Sequence, residues 1–274
     1  MSFRGMRVVA FESRRAAEMA ELVRRQSGQP FVAPAIREAP AEDDAAAFAF
    51  AERLIAGEFD TVILMTGIGT RQLHSLLAER YPEGAFTDAL RRVTLVARGP
   101  KAVAALREMG LKPAVVAPEP NTWHEVLAAM AGHAGRSIAV QEYGRPNPEF
   151  LAALTARGAE VTAIRLYRYD LPENVGPLQE AARGLAANEF QAALFTTAVQ
   201  IEHLARVAME LGIDEAMLKG LRKCLIGSIG PTTSEALEEF GVHPSLEPSH
   251  PKMGLLVMET AVRAAEQTSR TASL

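Results

Sequence analysis

Two Gly-Pro pairs open helix-like runs in this chain, one in ARGPK (97–101) and one in SIGPTT (228–233). A glycine lets a ligand approach the backbone closely, and a proline at the first helical position has no N–H to leave unpaired. The amides that follow lack intrahelical partners and, with the helix dipole, favour a carboxylate or phosphate. The residues that we predict to bind an anion at these two turns are Arg98, Gly99, Ser228, Ile229, Gly230, Pro231 and Thr232. The alternative is that the threonine hydroxyls simply cap their own helix.

A second pair of turns follows the apolar runs VILM and AALF. In open parallel sheets, ligands bind beyond the carboxyl ends of the strands, where such turns lie. The residues predicted to contact a ligand there are Thr66, Gly67, Thr196, Thr197, Ala198 and Val199. The segment TGIGTRQL indicates a nucleotide only weakly, because Gln72 stands where a dinucleotide-binding loop has its third glycine.

Two of the four tyrosines, Tyr143 and Tyr167, stand near the ends of predicted strands. A phenol can donate a proton or a strong hydrogen bond without carrying charge, so both are candidates for a general acid or a binding group. Gly144 follows Tyr143 and belongs to the same predicted turn. An amphipathic aromatic side chain at a sheet edge is the alternative for either tyrosine.

Other chemistries find little support in the residue types. The six histidines show no paired ligand spacing and no carboxylate-rich motif, so we expect no metal. Cys224, the only cysteine, lies in an apolar run and is predicted to be an inert core thiol. A single cysteine forms no intrachain disulfide, which fits a reducing cytoplasm. No nucleophile-elbow sequence that would position a catalytic serine occurs.

Composition and charge narrow the class of protein. The 274 residues are 48% hydrophobic, which suffices for one large domain or two ordinary ones. A net charge of -4 without a Lys/Arg block argues against nucleic acid or a membrane surface as partner. The longest apolar runs fall far short of the roughly 18 residues that a membrane span needs. We therefore expect a cytoplasmic protein with a small-molecule partner.

The elements that must position these residues alternate along the chain. Short apolar runs such as RVVAF and DTVILMT are followed by segments of helical period such as AAEMAELVRRQSG. Strands alternating with helices of this length predict right-handed βαβ units and parallel sheets. Glycines stand where the helices should stop, at Gly28, Gly110, Gly158, Gly212 and Gly241.

A gapless repeat relates the two Gly-Pro runs. Gly99 and Gly230 are 131 positions apart (230 − 99), and the same offset matches Thr66 to Thr197. A repeat of this length is a domain rather than a solenoid unit, so we predict two similar α/β domains with a ligand site between them. The alternative is that Gly-Pro followed by Ala and Leu is only a common helix start.

Three segments together resemble a known family. IGPTTSEALEEFGVHPSLEPSHPKMGLL (229–256) resembles the C-terminal signature of uroporphyrinogen-III synthases. AALFTTAVQIEHL (192–204) resembles the family's turn of Phe-Thr-Ser, a small residue and Val. AIRLYRYDLPE (163–173) resembles its tyrosine-bearing strand before the return crossover. The similarity extends over nearly the whole chain, from about residue 7 to about residue 262.

The resemblance implies an α/β fold with two similar flavodoxin-like domains, each a parallel sheet flanked by helices, joined by two crossing segments. Residues 1–36 with 171–274 would form the first domain, and residues 37–170 the second. It also implies a hydro-lyase that cyclises the linear tetrapyrrole hydroxymethylbilane, inverting the last ring and losing water. No cofactor is implied, and we expect a monomer.

The resemblance also assigns roles to single residues. Tyr167 matches the family's tyrosine and is expected to protonate the departing hydroxyl. Ser13 and Arg14 occupy the place of a turn that carries a substrate-binding arginine, although ESRR replaces the common Thr-Arg-Pro. TGIGT likewise replaces a more usual Thr-Ser-Asn turn, and Thr197 keeps the hydroxyl where serine is frequent.

Two other functions stay open on the sequence. The chain could be a catalytically silent relative that senses or carries a tetrapyrrole. It could also be a generic two-domain α/β protein that binds or transfers an unrelated small molecule. Turnover of the linear tetrapyrrole would separate the enzyme from both.

Overall fold

The structure is a computed structural model and describes residues 2–40, 44–133, 135–142, 144 and 146–271. The first half of the chain contains β1 (Arg7–Ala10), α1 (Ala16–Arg25), β2 (Gln29–Val32), β3 (Arg37–Pro40), α2 (Ala45–Ile55), β4 (Thr61–Leu64), α3 (Gly67–Ala78), α4 (Ala85–Leu90), β5 (Thr94–Ala97), α5 (Pro100–Glu108), β6 (Val115–Val116) and α6 (Trp123–Ala129). The second half contains β7 (Ser137–Gln141), α7 (Pro148–Ala156), β8 (Glu160–Ile164), β9 (Tyr167–Asp170), α8 (Gly176–Ala186), β10 (Ala192–Phe195), α9 (Val199–Glu210), α10 (Asp214–Leu221), β11 (Leu225–Ser228), α11 (Pro231–Glu239) and α12 (Met253–Thr271).

The chain divides into two compact units. Unit one contains Met1–Arg37 together with Asp170–Leu274, and unit two contains Glu38–Tyr169. Each unit has a parallel sheet flanked by helices, which confirms the predicted fold class. The two segments that lead from one unit to the other supply β3 and β9, which pair with each other.

The sheet of unit one has the strand order β11-β10-β1-β2, and all its pairs are parallel. Alternate residues of β10 enter two hydrophobic clusters. Ala193 and Phe195 pack with α8 and α9, whereas Ala192 and Leu194 pack with α1 and α12. Helices therefore cover both faces, which explains why the strands read as continuous apolar runs. The segment HPSLEP (243–248) contributes a single bridge, from Leu246 to Gly227.

The sheet of unit two has the order β6-β5-β4-β7-β8 and is also parallel. Read from the other edge, β8-β7-β4-β5-β6 corresponds in space to β2-β1-β10-β11 of unit one. Along unit one this is the flavodoxin-like order, in which the second strand of the chain lies at the edge. In unit two the same two positions belong to the last strands of the unit, so the arrangement is permuted.

The repeat predicted from the Gly-Pro runs extends over nearly all elements. Helices α2 and α8 begin 131 residues apart (176 − 45), and so do β4 and β10 (192 − 61) and α5 and α11 (231 − 100). The first copy runs from β1 to α6 and the second from β7 to α12. The offset alone is compatible with two tandem domains. The structure shows instead that unit one joins β1, α1 and β2 of the first copy to the later elements of the second.

Most of the predicted helix stops adopt the conformation that favours glycine. Positive φ angles of 65–88° occur at Gly110, Gly158, Gly212 and Gly241. After α1 the left-handed residue is Ser27, with φ 56°, and not Gly28. Gly28 is needed for packing, because a Cβ there would lie 2.8 Å from Cγ1 of Val23.

Candidate functional site

The turn after β5 in unit two is covered by an asparagine. Gly99 is extended and Pro100 begins α5, as predicted. In the part of the chain that the structure describes, the amides of Gly99 and Lys101 donate to no acceptor. A Cβ on Gly99 would lie 2.7 Å from the carboxamide of Asn121. With its amide group oriented to satisfy both acceptors, Asn121 donates to the carbonyls of Arg98 and Ala117 at 3.1 Å each.

The equivalent turn after β11 in unit one is open. Gly230 is again extended and Pro231 begins α11, but a Cβ on Gly230 would meet no atom of the described residues within 4 Å. Among the described residues, no acceptor pairs with the amides of Gly230 and Thr232. Ser228 is fully buried and its hydroxyl donates to the carbonyl of Gly230 at 3.2 Å. The turn therefore offers backbone N–H groups, next to the half-buried Ile229 and Thr232, and not the Ser228 hydroxyl.

The turn after β10 in unit one is held by a side chain of its own helix. Oε1 of Gln200 accepts from the N–H groups of Thr196 (2.7 Å) and Thr197 (3.3 Å). The Thr196 hydroxyl donates to Oε2 of Glu12 at 2.7 Å, so it is already engaged. The next two amides, at the N-terminus of α9, donate to no acceptor within the described ranges; they belong to Ala198 and Val199.

Ser13 has a structural role in unit one. Its Oγ accepts hydrogen bonds from the amides of Ala35 (3.2 Å) and Ile36 (3.0 Å). The hydroxyl thus fixes the segment that leads out of the unit. Arg14, which follows it, is exposed.

Unit two brings Tyr167, Thr66 and Gly144 together. Tyr167 is 2% exposed, and its O–H donates to Oγ1 of Thr66 at 3.5 Å, the outer limit of a hydrogen bond. Thr66 in turn caps α3 by accepting from the amide of Gly69 at 3.1 Å. A Cβ on Gly144 would lie 2.9 Å from the Tyr167 ring and 2.8 Å from that of Tyr169, so only glycine fits there.

Gly67, the first residue of α3, allows a close backbone approach. A Cβ on Gly67 would lie 2.2 Å from the carbonyl oxygen of Lys101, so the turns after β4 and β5 pack directly against each other. Tyr143 lies outside the described residues, and its predicted role stays a prediction.

Three residues at these turns were not predicted from the sequence: Asn121, Gln141 and Gln200. Gln141 is fully buried, and its Oε1 accepts from the amide of Thr66 at 3.2 Å. A glutamine that ends a strand, or one that follows Thr-Thr by three positions, is too common to draw attention. Their role becomes visible only when the two units are compared.

The cysteine is placed as the sequence predicted. Cys224 is buried, as expected of a core thiol, and burial raises the pKa of its thiol to about 12. Its Sγ donates to the carbonyl of Phe190 at 3.3 Å. Over the described residues, no three His, Cys, Asp or Glu side chains gather in a group that could hold a metal ion. None of the helices in the same residues is long and apolar enough to cross a membrane.

Known proteins resemble the chain over most of its length. The family model described as uroporphyrinogen-III synthase HemD matches residues 17–258. "Uncharacterized protein YjjA" of Bacillus subtilis is 29% identical over 265 residues, which span 94% of this chain and 95% of that protein. A Methanothermobacter thermautotrophicus protein, provisionally named uroporphyrinogen-III synthase, is 29% identical over 83% of this chain and 87% of its own. A mutant uroporphyrinogen III synthase from the extreme thermophile Thermus thermophilus has a TM-score of 0.75 at 26% identity, covering 96% of this chain and all of that one.

Proposed function

Because the chain belongs to the uroporphyrinogen-III synthase family, we propose that it cyclises hydroxymethylbilane to uroporphyrinogen III, inverting the last pyrrole ring and releasing water. The observation that carries the proposal is the set of helix N-termini at the carboxyl ends of the strands. Their amides, at Gly230, Thr232, Ala198 and Val199 in unit one, donate to no acceptor among the described residues.

These amides suit the substrate, which carries acetate and propionate groups on every ring. Oriented N–H groups and the helix dipole bind carboxylates without requiring a basic surface. A protein with a net charge of -4 can therefore hold a polycarboxylate. The open turn at Gly230 is the first place where we expect a substrate carboxylate, because a Cβ on Gly230 would meet no atom of the described residues within 4 Å.

Tyr167 is the proposed acid. Protonation of the departing hydroxyl releases water and leaves a cationic azafulvene. The last ring then attacks the azafulvene carbon through its substituted α-carbon to give a spiro intermediate. The original bridge bond to that α-carbon breaks and leaves a second azafulvene, and the free α-carbon of the inverted ring bonds to the bridge carbon and loses its proton. Because the Tyr167 O–H is buried and donates to Thr66, the transfer runs as a relay in which the Thr66 hydroxyl gives its own proton to the departing hydroxyl and takes the phenol proton in its place. The remaining task is to hold the chain so that uninverted closure is excluded, which is catalysis by positioning.

A turnover assay tests the proposal. Hydroxymethylbilane is generated in situ, the protein is added, the products are oxidised, and the ratio of the III to the I isomer is measured. We expect the III isomer to dominate. Tight binding of the porphyrinogen with only the spontaneous ratio would favour a sensor or carrier. Neither binding nor turnover would favour an unrelated small-molecule protein.

We also propose that the enzyme is a cytoplasmic monomer that needs no cofactor. Activity should then survive dialysis against a chelator and stay constant after gel filtration. Light scattering of the eluting protein should give the mass of one chain. Loss of activity that a metal ion restores would contradict this part of the proposal alone.

A further inference from the structure

In each unit a buried carboxamide links a strand-to-helix turn to the neighbouring strand. In unit one, Gln200 accepts from the amide of Thr197 through Oε1, and its Nε2 donates to the carbonyl of Phe11 at 2.9 Å. In unit two, Gln141 accepts from the amide of Thr66, and its Nε2 donates to the carbonyl of Glu142. Thr66 and Thr197 are equivalent in the repeat (197 − 66 = 131).

The two carboxamides reach the turn from opposite directions. Gln200 lies in the first turn of α9, and its counterpart in α3 is Gly69 (200 − 69 = 131). A Cβ on Gly69 would lie 2.2 Å from Nε2 of Gln141, so a side chain from the helix would enter the place that the Gln141 carboxamide fills. Gln141 ends β7, where it pairs with Leu64.

The strand of unit one supplies no such group. Ala10 pairs with Leu194 in the register of β1 and β10, so Phe11 lies opposite Phe195. The two rings stack with 4.7 Å between their centroids. The helix therefore supplies the carboxamide in unit one and the strand supplies it in unit two. A buried amide group costs free energy unless it is bonded, and Gln141 and Gln200 are at most 1% exposed. The same connection is thus maintained in both copies by different residues.

We propose that Gln141 and Gln200 are positioning residues that fix the turns at which the substrate carboxylates bind, an inference that rests on the proposed function. Gln200 accepts from the amides of Thr196 and Thr197, and Gln141 accepts from the amide of Thr66. The next two amides of each turn, at Ala198 and Val199 in unit one and at Gly67 and Ile68 in unit two, donate to no acceptor among the described residues. In unit two the same carboxamide also lies 3.5 Å from Oγ1 of Thr66, the hydroxyl that Tyr167 contacts.

A relocation experiment tests the proposal in unit two. Gln141→Leu keeps the volume and removes the bonds, and Gln141→Ala with Gly69→Gln moves the carboxamide to the helix, as in unit one. The readouts are KM and kcat for formation of the III isomer, and amide hydrogen exchange at Thr66 measured by NMR without substrate. Gln72→Leu, on the exposed side of α3, is the matched control.

We expect Gln141→Leu to raise KM about tenfold, to change kcat less, and to speed exchange at Thr66 by a similar factor. The relocated variant should recover both values to within about threefold, whereas a residue needed only for packing would not be rescued from another position. Unchanged exchange in Gln141→Leu, or faster exchange with unchanged KM, would overturn the inference. If the wild type forms no III isomer, the proposed function fails, and the exchange rates and their rescue still decide whether Gln141 fixes the turn.

Discussion

The turns at Gly99 and Gly230 have the same backbone and opposite surroundings. Both glycines are extended and both precede a helix that begins with proline. Above Gly99 lies the carboxamide of Asn121, whereas the space above Gly230 is open. The sequence motif therefore specifies the direction of the amides in both copies, but residues elsewhere in the chain decide whether a ligand can reach them.

The side chains behind the two turns also differ. In unit one, the Ser234 hydroxyl lies within hydrogen-bonding distance of the Ser228 hydroxyl and of the Glu247 carboxylate, to either of which it can donate its one hydrogen. The counterparts of these three residues in unit two, 131 positions earlier, are Ala97, Val103 and Val116. The same backbone turn is thus supported by hydrogen-bonding side chains in unit one and by apolar side chains in unit two. The difference fits the asymmetric substrate that we propose.

The largest effect is expected from Gly230→Val. The extended backbone accepts a branched residue without strain, but the side chain would fill the space that we assign to a substrate carboxylate. We expect kcat/KM to fall on the order of 100-fold while the thermal unfolding midpoint stays unchanged. Steady-state kinetics and calorimetry measure the two quantities. Full activity in a folded Gly230→Val protein would show that this turn is not a substrate site.

Tyr167→Phe tests a hydroxyl that only unit two has at this position, because the counterpart of Tyr167 in unit one is Ile36 (167 − 36 = 131). Loss of a positioned acid should lower kcat by about tenfold to 100-fold, with little change in KM. Tyr81→Phe is the matched control, since the Tyr81 O–H contacts only the carbonyl of Phe48 at 3.4 Å among the described residues. Equal kcat values for the two variants would remove Tyr167 from the mechanism.

Gly99→Val should affect stability more than chemistry. A Cβ at this position meets the Asn121 carboxamide at 2.7 Å, so the asparagine must move and lose its bonds to two carbonyls. We expect the free energy of unfolding in urea to fall by about 1–3 kcal/mol. A variant as stable as the wild type, with activity reduced as in Gly230→Val, would mean that both turns bind substrate alike.

The fold was predictable because the alternation of short apolar runs and helical segments is regular and because one offset relates the two copies. The repeat alone does not assign each element to a compact unit, since it is compatible with either tandem or interlaced copies; the interlaced domains were expected only from the family resemblance. The positions of Gly99, Gly230 and Thr66 in strand-to-helix turns could be predicted from their residue types and neighbours. The contact of Asn121 with Gly99 could not, because it joins residues that no helix or strand spacing relates.

Ser228→Ala gives the turn of unit one the residue that unit two has at the equivalent position, Ala97. It removes the bond to the Gly230 carbonyl and leaves Ser234 without one partner. We expect a loss of about 1–2 kcal/mol in the free energy of unfolding. The reverse change, Ala97→Ser, places a hydroxyl among apolar side chains and should also destabilise. Urea titrations of both variants test the pair, and a stable Ala97→Ser protein would show that the two supports are interchangeable.

The smallest effect is expected at Cys224. Its counterpart in unit two is Val93 (224 − 93 = 131), and burial raises the pKa of the thiol to about 12, far above neutral pH. The thiol is therefore protonated and unreactive in the folded protein. Cys224→Val should keep kcat/KM and change the free energy of unfolding by less than about 1.5 kcal/mol. Rapid alkylation of the native wild type at neutral pH would contradict this placement.

The proposed activity and the role of the open turn at Gly230 are tested most directly by one quantity, the ratio of III to I isomers formed with enzyme in excess over hydroxymethylbilane. It is measured for the wild type and for Gly230→Val in parallel. Excess enzyme captures the substrate before it closes spontaneously. We predict nearly pure III isomer from the wild type and a ratio shifted toward the spontaneous I isomer from the variant. A wild-type ratio equal to that without protein would contradict the proposed activity, and identical ratios from both proteins would contradict the role of the open turn.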